Sequence, residues 1–274
     1  MMTTLVKDRL AVLGGMIPLD ERVSWVPSTA KGWQPSNCYL LTEPSGALLV
    51  DSGLAIHRDL VLDGLTDALG ENGSLSIFFT RGEMDCVSNL EPISEEFDIS
   101  QLFTGGVVNP FDAFDEVNRL RHKGRRQQID VRSEGGDAMP RTPTIQVGPA
   151  RTFEIESPLF RLLPTFWGWD ATTGAVFTSD VFTHGVLSDA TSSRVIDSTT
   201  EDRTTVDDVV GHLLAKYEWL RKASTNPLRE WLADRFAALQ PEIIAPTRGC
   251  VLQGRTVVKR HLQLMLDALG KVNK

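Results

Sequence analysis

Apolar positions in the first part of the chain come in short runs bounded by Pro, Ser and Gly, the pattern of buried strands. Val23–Val26, Asn37–Thr42 and Ala47–Val50 are such runs. From Arg58 to Leu69 the rhythm changes. Val61, Leu65, Ala68 and Leu69 share one helical face, and Gly70 stands where a helix commonly stops. Leu75–Thr80 again reads as a strand and runs into a polar turn, Arg81–Asn89. The stretch from about Asn118 to Pro143 is polar and predicts an irregular segment. Its basic run, Arg119, Arg121, His122, Lys123, Arg125 and Arg126, reads as a solvated loop rather than a docking face for an anionic partner.

Strand signals return at Thr144–Val147, Thr152–Ile155, Leu159–Leu163 and Ala175–Thr178. The last third is helical. Val206, Val209, Val210, Leu213, Leu214, Tyr217 and Leu220 keep helical spacing, with Thr205 and Asp208 spaced as a capping box. Asn226–Pro227 opens a second helix, with Leu228, Trp231, Leu232 and Leu239 on its face. One more strand, Glu242–Pro246, precedes a turn at Thr247–Gly249. A final helix carries Val258, Leu262, Met265, Leu266 and Leu269. Two sheets with helices outside both would bury all these faces, an α/β arrangement.

A chain of 274 residues is one large domain or two small ones, and no linker or repeat divides it. At 41% hydrophobic and 23% charged it can bury a core without staples. Lys plus Arg number 28 against 36 Asp plus Glu, a net charge of −8, which argues against nucleic-acid binding. Cys38, Cys86 and Cys250 are odd in number and far apart, so no disulfide framework is implied. Met1–Pro18 holds only short apolar groups broken by Lys7, Asp8 and Arg9, neither a signal peptide nor a membrane span. The protein is therefore expected to be cytoplasmic, with no membrane partner.

Three polar turns follow apolar strands directly: Thr80–Asn89, Phe177–Phe182 and Ile243–Gly249. Strand-end loops are where scaffolds place working groups. Within them the chain resembles the metallo-β-lactamase superfamily, and in it the oxygen-binding di-iron and flavodiiron branch. That family's first motif is His-x-[His/Glu]-x-Asp-His. Glu83 and Asp85 match it, whereas Arg81 and Cys86 stand at its two histidine places. Asn37–Leu41 followed by Leu48–Gly53 is similar to the family's opening hairpin. Thr173–Asp180 is similar to the segment ending in the bridging aspartate, and Ala245–Gly249 to Ala-Pro-Ser-His-Gly with Arg248 at the histidine place. Counting back from Asp180 puts the remaining histidine place at Arg161, or at Leu162 with a one-residue slip. The segment Ala215–Ala223 and the helix after it are similar to the same branch.

The resemblance spans about residues 23–254. It implies a four-layer αββα sandwich of the metallo-β-lactamase type, a single domain over 1–274 with a C-terminal helix at about 255–270. Glu83, Asp85, Asp180 and Arg248 are expected at one edge of that sandwich. No flavodoxin-like or rubredoxin-like segment accompanies the motifs, so the chain is not expected to carry flavin itself.

The departures from the family pattern bear on function. Zinc or iron needs ligands with lone pairs, and arginine only donates protons. Two divalent ions supply about four positive charges and three guanidinium groups about three, close enough to balance Glu83, Asp85 and Asp180. Arg81, Arg161 and Arg248 are thus expected to replace the metals as counter-charge. This reading makes the protein a metal-free, small-ligand-binding or non-catalytic member with no cofactor. Three forms of the site are open: a salt-bridge network that only holds strand ends, one that also presents guanidinium groups to a small anionic or polar ligand, or a surviving metal site on Glu83, Asp85, Asp180 and Cys86. The last would make the protein an iron- or zinc-dependent hydrolase or a di-iron oxidoreductase. By analogy a homodimer is expected.

No single residue is assigned a catalytic role. Cys86 beside Arg81 has the setting of a thiolate, but no histidine is placed to be its base, so a small buried residue is expected. His184 is read as a second layer around the site or a surface residue. His57, His122, His212 and His261 fall outside the motif turns and are expected at the surface. Trp167 and Trp169 alternate along a strand, so only one can face the pocket, and a core role is expected for both.

Overall fold

The computed structural model describes residues 2–71, 73–105, 125–129 and 143–272. They form two compact units, Met1–Gly15 with Ser36–Thr173, and Met16–Pro35 with Gly174–Lys274.

The first unit is built on a sheet in the order β1-β2-β3-β4-β5-β6-β7. Its strands are β1 (Thr3–Val6), β2 (Leu10–Pro18), β3 (Trp33–Glu43), β4 (Gly46–Val50), β5 (Ser74–Phe79), β6 (Asp98–Gly105) and β7 (Arg125–Ile129). β3 and β4 form an antiparallel hairpin with Leu40 opposite Leu49; β4, β5 and β6 run parallel. The parallel connection from β4 to β5 is made by α1 (Arg58–Leu69), as crossovers require. Val61 and Leu65 of α1 join Leu40, Leu49, Ile77 and Phe79 in a core that also contains Cys38 and Cys86. Two short helices, α2 (Met84–Val87) and α3 (Leu90–Glu96), lie between β5 and β6. Three further strands, β8 (Thr144–Gly148), β9 (Arg151–Glu156) and β10 (Trp167–Asp170), pair antiparallel in the order β8-β9-β10.

A buried ion pair that the sequence did not advertise sits among these strands. Arg151 grips Asp170 through two bonds of 3.0 and 2.6 Å and donates to the Arg9 and Thr42 carbonyls. All three nitrogens of that guanidinium thereby donate to a carboxylate or carbonyl, which is what makes burial of the charge tolerable.

In the second unit, β11 (Ala175–Ser179), β13 (Ile243–Pro246), β14 (Val251–Gln253) and β12 (Val195–Ile196) lie side by side in that order. Helices α4 (Val206–Lys216), α5 (Asn226–Leu239) and α6 (Arg255–Lys271) accompany them. The expected capping box is present: Thr205 accepts from the Asp208 amide while the Asp208 carboxylate receives the Thr205 amide. Pro227 occupies the first turn of α5, where its missing N–H costs nothing.

Several expectations are corrected. Val23–Val26 forms bends, not a strand. Leu159–Leu163 is an irregular segment in which Leu159, Leu162 and Leu163 are about half exposed. Leu10–Pro18, read as broken apolar groups, is a nine-residue strand. Arg125–Ile129, read as part of an irregular segment, is a strand. The rest of the basic run, Arg119 to Lys123 with His122, lies outside the described residues, as does most of the polar stretch. Among the described residues all three cysteines are buried free thiols, and no helix is long and apolar enough to cross a membrane.

Candidate functional site

In the first unit the polar turn after β5 closes over a buried charge cluster. The Arg81 side chain is 1% exposed. Its Nε donates to Glu83 Oε2 at 2.5 Å, and an Nη donates to the Asp85 carboxylate. Asp85 is also buried, whereas Glu83 at the start of α2 is partly open. Arg81 thus forms ion pairs with both Glu83 and Asp85.

A third carboxylate, missed as a site residue, lies next to them. Asp51 directly follows β4 with a φ of 60°, a left-handed conformation that is costly for a residue with a Cβ. It receives the Thr80 amide at 2.8 Å and the Thr80 hydroxyl at 2.9 Å. Burial pushes its carboxyl up to about 6, although the Arg81 charge and the Thr80 bonds pull the other way. Ser52 and Asn89 brace the same corner. Ser52 donates through both its amide and its hydroxyl to the Cys86 carbonyl, and the Asn89 side chain donates to the Ser52 and Leu54 carbonyls. The sequence signal for it is Asp51-Ser52-Gly53, the end of the segment similar to the family's opening hairpin.

Cys86 belongs to the apolar core, and burial pushes its thiol well above the ordinary range in spite of Arg81. It is a thiol packing residue, as its lack of a histidine base suggested. Arg161 does not take the buried counter-charge role expected of it. It is exposed, and one Nη donates to Ser157 Oγ and the Pro158 carbonyl of its own loop. Leu162, the alternative register, is also exposed. The loop after β9 is irregular, so counting residues back from Asp180 did not fix where either side chain points. Trp167 is fully buried and Trp169 partly so.

In the second unit, Asp180 follows β11 in a turn where Ser179 and Phe182 both have positive φ, 53° and 65°. Within this unit its carboxylate is met by two residues at the end of α4. Tyr217 donates its hydroxyl to Oδ1 at 2.8 Å, and Lys216 Nζ lies 3.2 Å from Oδ2. Neither is marked by the motifs: in the sequence pattern Tyr217 belongs to an apolar helix face. Arg248 is 2% exposed, and its guanidinium lies 4.4 Å above the Trp25 ring. Trp25 is oriented by Gln34, which also donates to the Thr183 carbonyl. Gly249 has a φ of 84°, and a Cβ there would lie 2.7 Å from the Thr183 carbonyl oxygen, so no other residue fits the turn that presents Arg248.

The histidines depart furthest from expectation. His57, His184, His212 and His261 are all buried. In the first unit His57 packs on Gly15, where a Cβ would come within 2.5 Å of the ring. In the second, His184 Nε2 lies 2.8 Å from His261 Nδ1 with the rings stacked, and His261 Nε2 lies 3.3 Å from Asp202. Asp202 also receives Arg260 Nε at 2.7 Å and the Thr204 amide and hydroxyl. Burial works to raise the Asp202 carboxyl, but those bonds prevail and hold it below its usual range. Burial pushes the His212 and His261 imidazoles down to about 4, against the nearby Asp208 and Asp202 respectively. His184 is pushed well below its ordinary value, first by burial and then by the two neighbouring histidines. All three rings are therefore neutral near neutral pH.

Comparison with solved structures gives the fold a relation. The chain is similar to rubredoxin oxygen:oxidoreductase from Desulfovibrio gigas, with a TM-score of 0.65 and 16% identity over 99% of this chain and 62% of that one. It is similar to the flavodiiron protein of Giardia intestinalis, with a TM-score of 0.61 and 13% identity over 100% of this chain and 59% of the other. A diflavin flavoprotein fragment from Nostoc sp. PCC 7120 gives a TM-score of 0.69 at 12% identity, covering 99% and 97% of the two chains. The fold is thus an α/β sandwich of the metallo-β-lactamase type, the one found in flavodiiron proteins. The chain spans about three fifths of the first two relatives, 62% and 59% of their lengths. No family profile matches the sequence, and no curated protein matches it.

Proposed function

We propose that this chain is a metal-free, non-catalytic member of that fold, in which basic side chains replace metal ions as the counter-charge of the carboxylates at the family's ligand positions. The observation that carries the reading is Arg81, buried to 1% exposure and bonded to both Glu83 and Asp85. A di-iron or zinc centre takes lone pairs from imidazole or carboxylate oxygen. Here the guanidinium contributes none and engages oxygens of both carboxylates that would otherwise serve as ligands. The donor set does not fit iron or zinc. Lys216 and Tyr217 on Asp180 support the same reading from the second unit.

Among the metal-free alternatives, the purely structural network is favoured. A side chain as deeply buried as Arg81 presents no open guanidinium face to an anionic ligand. The charges hold the turn after β5 in place, as paired buried groups do.

The test is elemental analysis of protein purified without a metal-affinity tag, then incubated with ferrous iron or with zinc and desalted. Only trace metal is expected. Retention of about one or two tightly held ions per chain, lost on Asp85→Asn, would overturn the reading.

A further inference from the structure

Imidazoles from three elements of the second unit meet in one buried cluster. His184 follows β11, His212 lies in α4 and His261 in α6. His184 Nε2 and His261 Nδ1 are 2.8 Å apart, with the ring centroids at 5.1 Å. His184 and His212 also line a cavity of about 870 Å³, which gives water a route to the edge of the cluster.

This geometry limits how many protons the cluster can hold. An N···N bond between imidazoles needs one nitrogen with its proton and one with a bare lone pair. The neutral pair meets that condition, and so does a pair with one extra proton. With both rings charged, two N–H groups face each other across the short gap and the bond is lost. The stack then holds two like charges away from water.

The groups that face the rings cannot offset such charge. Asp202, 3.3 Å from His261 Nε2, is already held by Arg260 and by the Thr204 amide and hydroxyl. Arg260 and the buried Arg194 add positive charge of their own. On α4, Asp208 acts on His212 but is engaged in the capping box. Cys250, packed against Gly185, stays a neutral thiol because burial pushes it up to about 12. Asp197, Glu201 and Arg203 on the cavity wall are exposed and screened by solvent.

The stretch that carries His184 and Asp202 is also the part of the unit with the least regular structure. Between residues 185 and 205 its one strand is β12, two residues long. It is tied down by pairing of β12 with β14, by the backbone bonds between Leu187 and Trp33, and by Arg260. A segment with so few ties opens at a lower free energy than the whole domain.

We propose that the His184–His261 pair is a proton-operated latch: acid parts residues 185–205 from α4 and α6 while β11 and β13 stay folded. Burial sets the sign. In the closed form it holds His212 and His261 down to about 4 and His184 well below its ordinary value, whereas rings reached by water titrate near 6.5. The open form therefore binds more protons as pH falls from about 6.5 to about 4, and opening gains at least about tenfold for each exposed ring by about pH 5. The latch is independent of whether the carboxylates on the other turns hold metal.

The experiment is hydrogen–deuterium exchange of the whole chain at about pH 7.5 and about pH 5, read by mass spectrometry and corrected for the pH dependence of amide exchange itself. Peptides from residues 185–205 should lose protection by at least about tenfold at the lower pH, while those from β11 and β13 keep theirs. In His184→Gln/His261→Gln the rings give way to amides that hydrogen-bond at either pH, so most of the loss should disappear. His212→Gln removes one charge at the cavity edge and leaves the pair in place. Its loss should be smaller than the parent's, and it carries the test if the double variant does not fold. Equal loss across residues 185–205, β11 and β13 would mean unfolding of the whole unit and overturn the latch. So would unchanged protection of the parent at the lower pH, or a loss in the variants as large as in the parent.

Discussion

Replacing Arg81 with alanine is expected to destabilise this protein by about 3–5 kcal/mol, the range for removing one partner of a buried ion pair. The loss has two parts. The bonds to Glu83 and Asp85 disappear, and the buried Asp85 and Asp51 lose the nearby positive charge that favours their ionised forms. Two carboxylates in one low-dielectric corner disfavour each other's ionised form. Arg161→Ala provides the contrast. Its guanidinium is exposed and bound only within its own loop, so a cost of about 0–1 kcal/mol is expected. Denaturant unfolding of parent, Arg81→Ala, Asp85→Asn and the double variant measures both the size and the coupling. The double variant should lose less than the sum of the singles, because each single strands the other partner. If Arg81→Ala unfolds at the same denaturant concentration as Arg161→Ala, the Arg81 charge is solvated and its role as counter-charge is wrong.

Acidification is expected to destabilise the protein between about pH 6.5 and about pH 4, chiefly through its buried histidines. His212 and His261 are held down to about 4 in the folded state, and His184 well below its usual value. The unfolded chain takes up protons on these rings near 6.5, so it binds more protons than the native state throughout that window. Their contribution is present above the unfolded value and is lost as pH falls towards the folded one. For His212 and His261 the shift corresponds to about 3 kcal/mol each when fully expressed. Asp51 acts oppositely. Its carboxyl is raised to about 6, so its contribution is complete below the unfolded value and is lost as pH rises through 6. One aspartate offsets about one histidine, which leaves a net loss on acidification. Unfolding free energies of the parent and His212→Gln at about pH 7 and about pH 5 test this directly. The variant should lose less stability over that interval. Parallel losses would show that His212 titrates normally and is not buried as described.

The local elements were legible because their causes are local. Helical spacing, Gly70 and the Thr205–Asp208 box act within one turn of chain, and α1 and α4 stand where those signals put them. The order of strand-end motifs was enough to point to the metallo-β-lactamase type of fold. Two strand errors have a shared origin. Val23–Val26 and Leu159–Leu163 have apolar composition without a neighbouring strand to complete them, and a strand exists only by pairing. Conversely, Met1–Pro18 read as short apolar groups broken by Lys7, Asp8 and Arg9, yet the stretch after that break is a strand whose first residues, Leu10 to Val12, pair with β1.

What remained for tertiary structure to decide was which polar side chains are buried and with whom. No periodicity distinguishes a surface histidine from His261, fully buried between a second imidazole and the Asp202 carboxylate. Nor does the sequence separate Arg81, enclosed with two carboxylates, from Arg161, exposed on a loop. The cost of burying a charge depends on partners brought together by folding: Arg151 meets the Thr42 carbonyl across 109 positions, and Tyr217 meets Asp180 across 37. Residue types at the family's ligand positions could be read from the chain, but the identity of their counter-charges depended on side chains that only three-dimensional proximity selects.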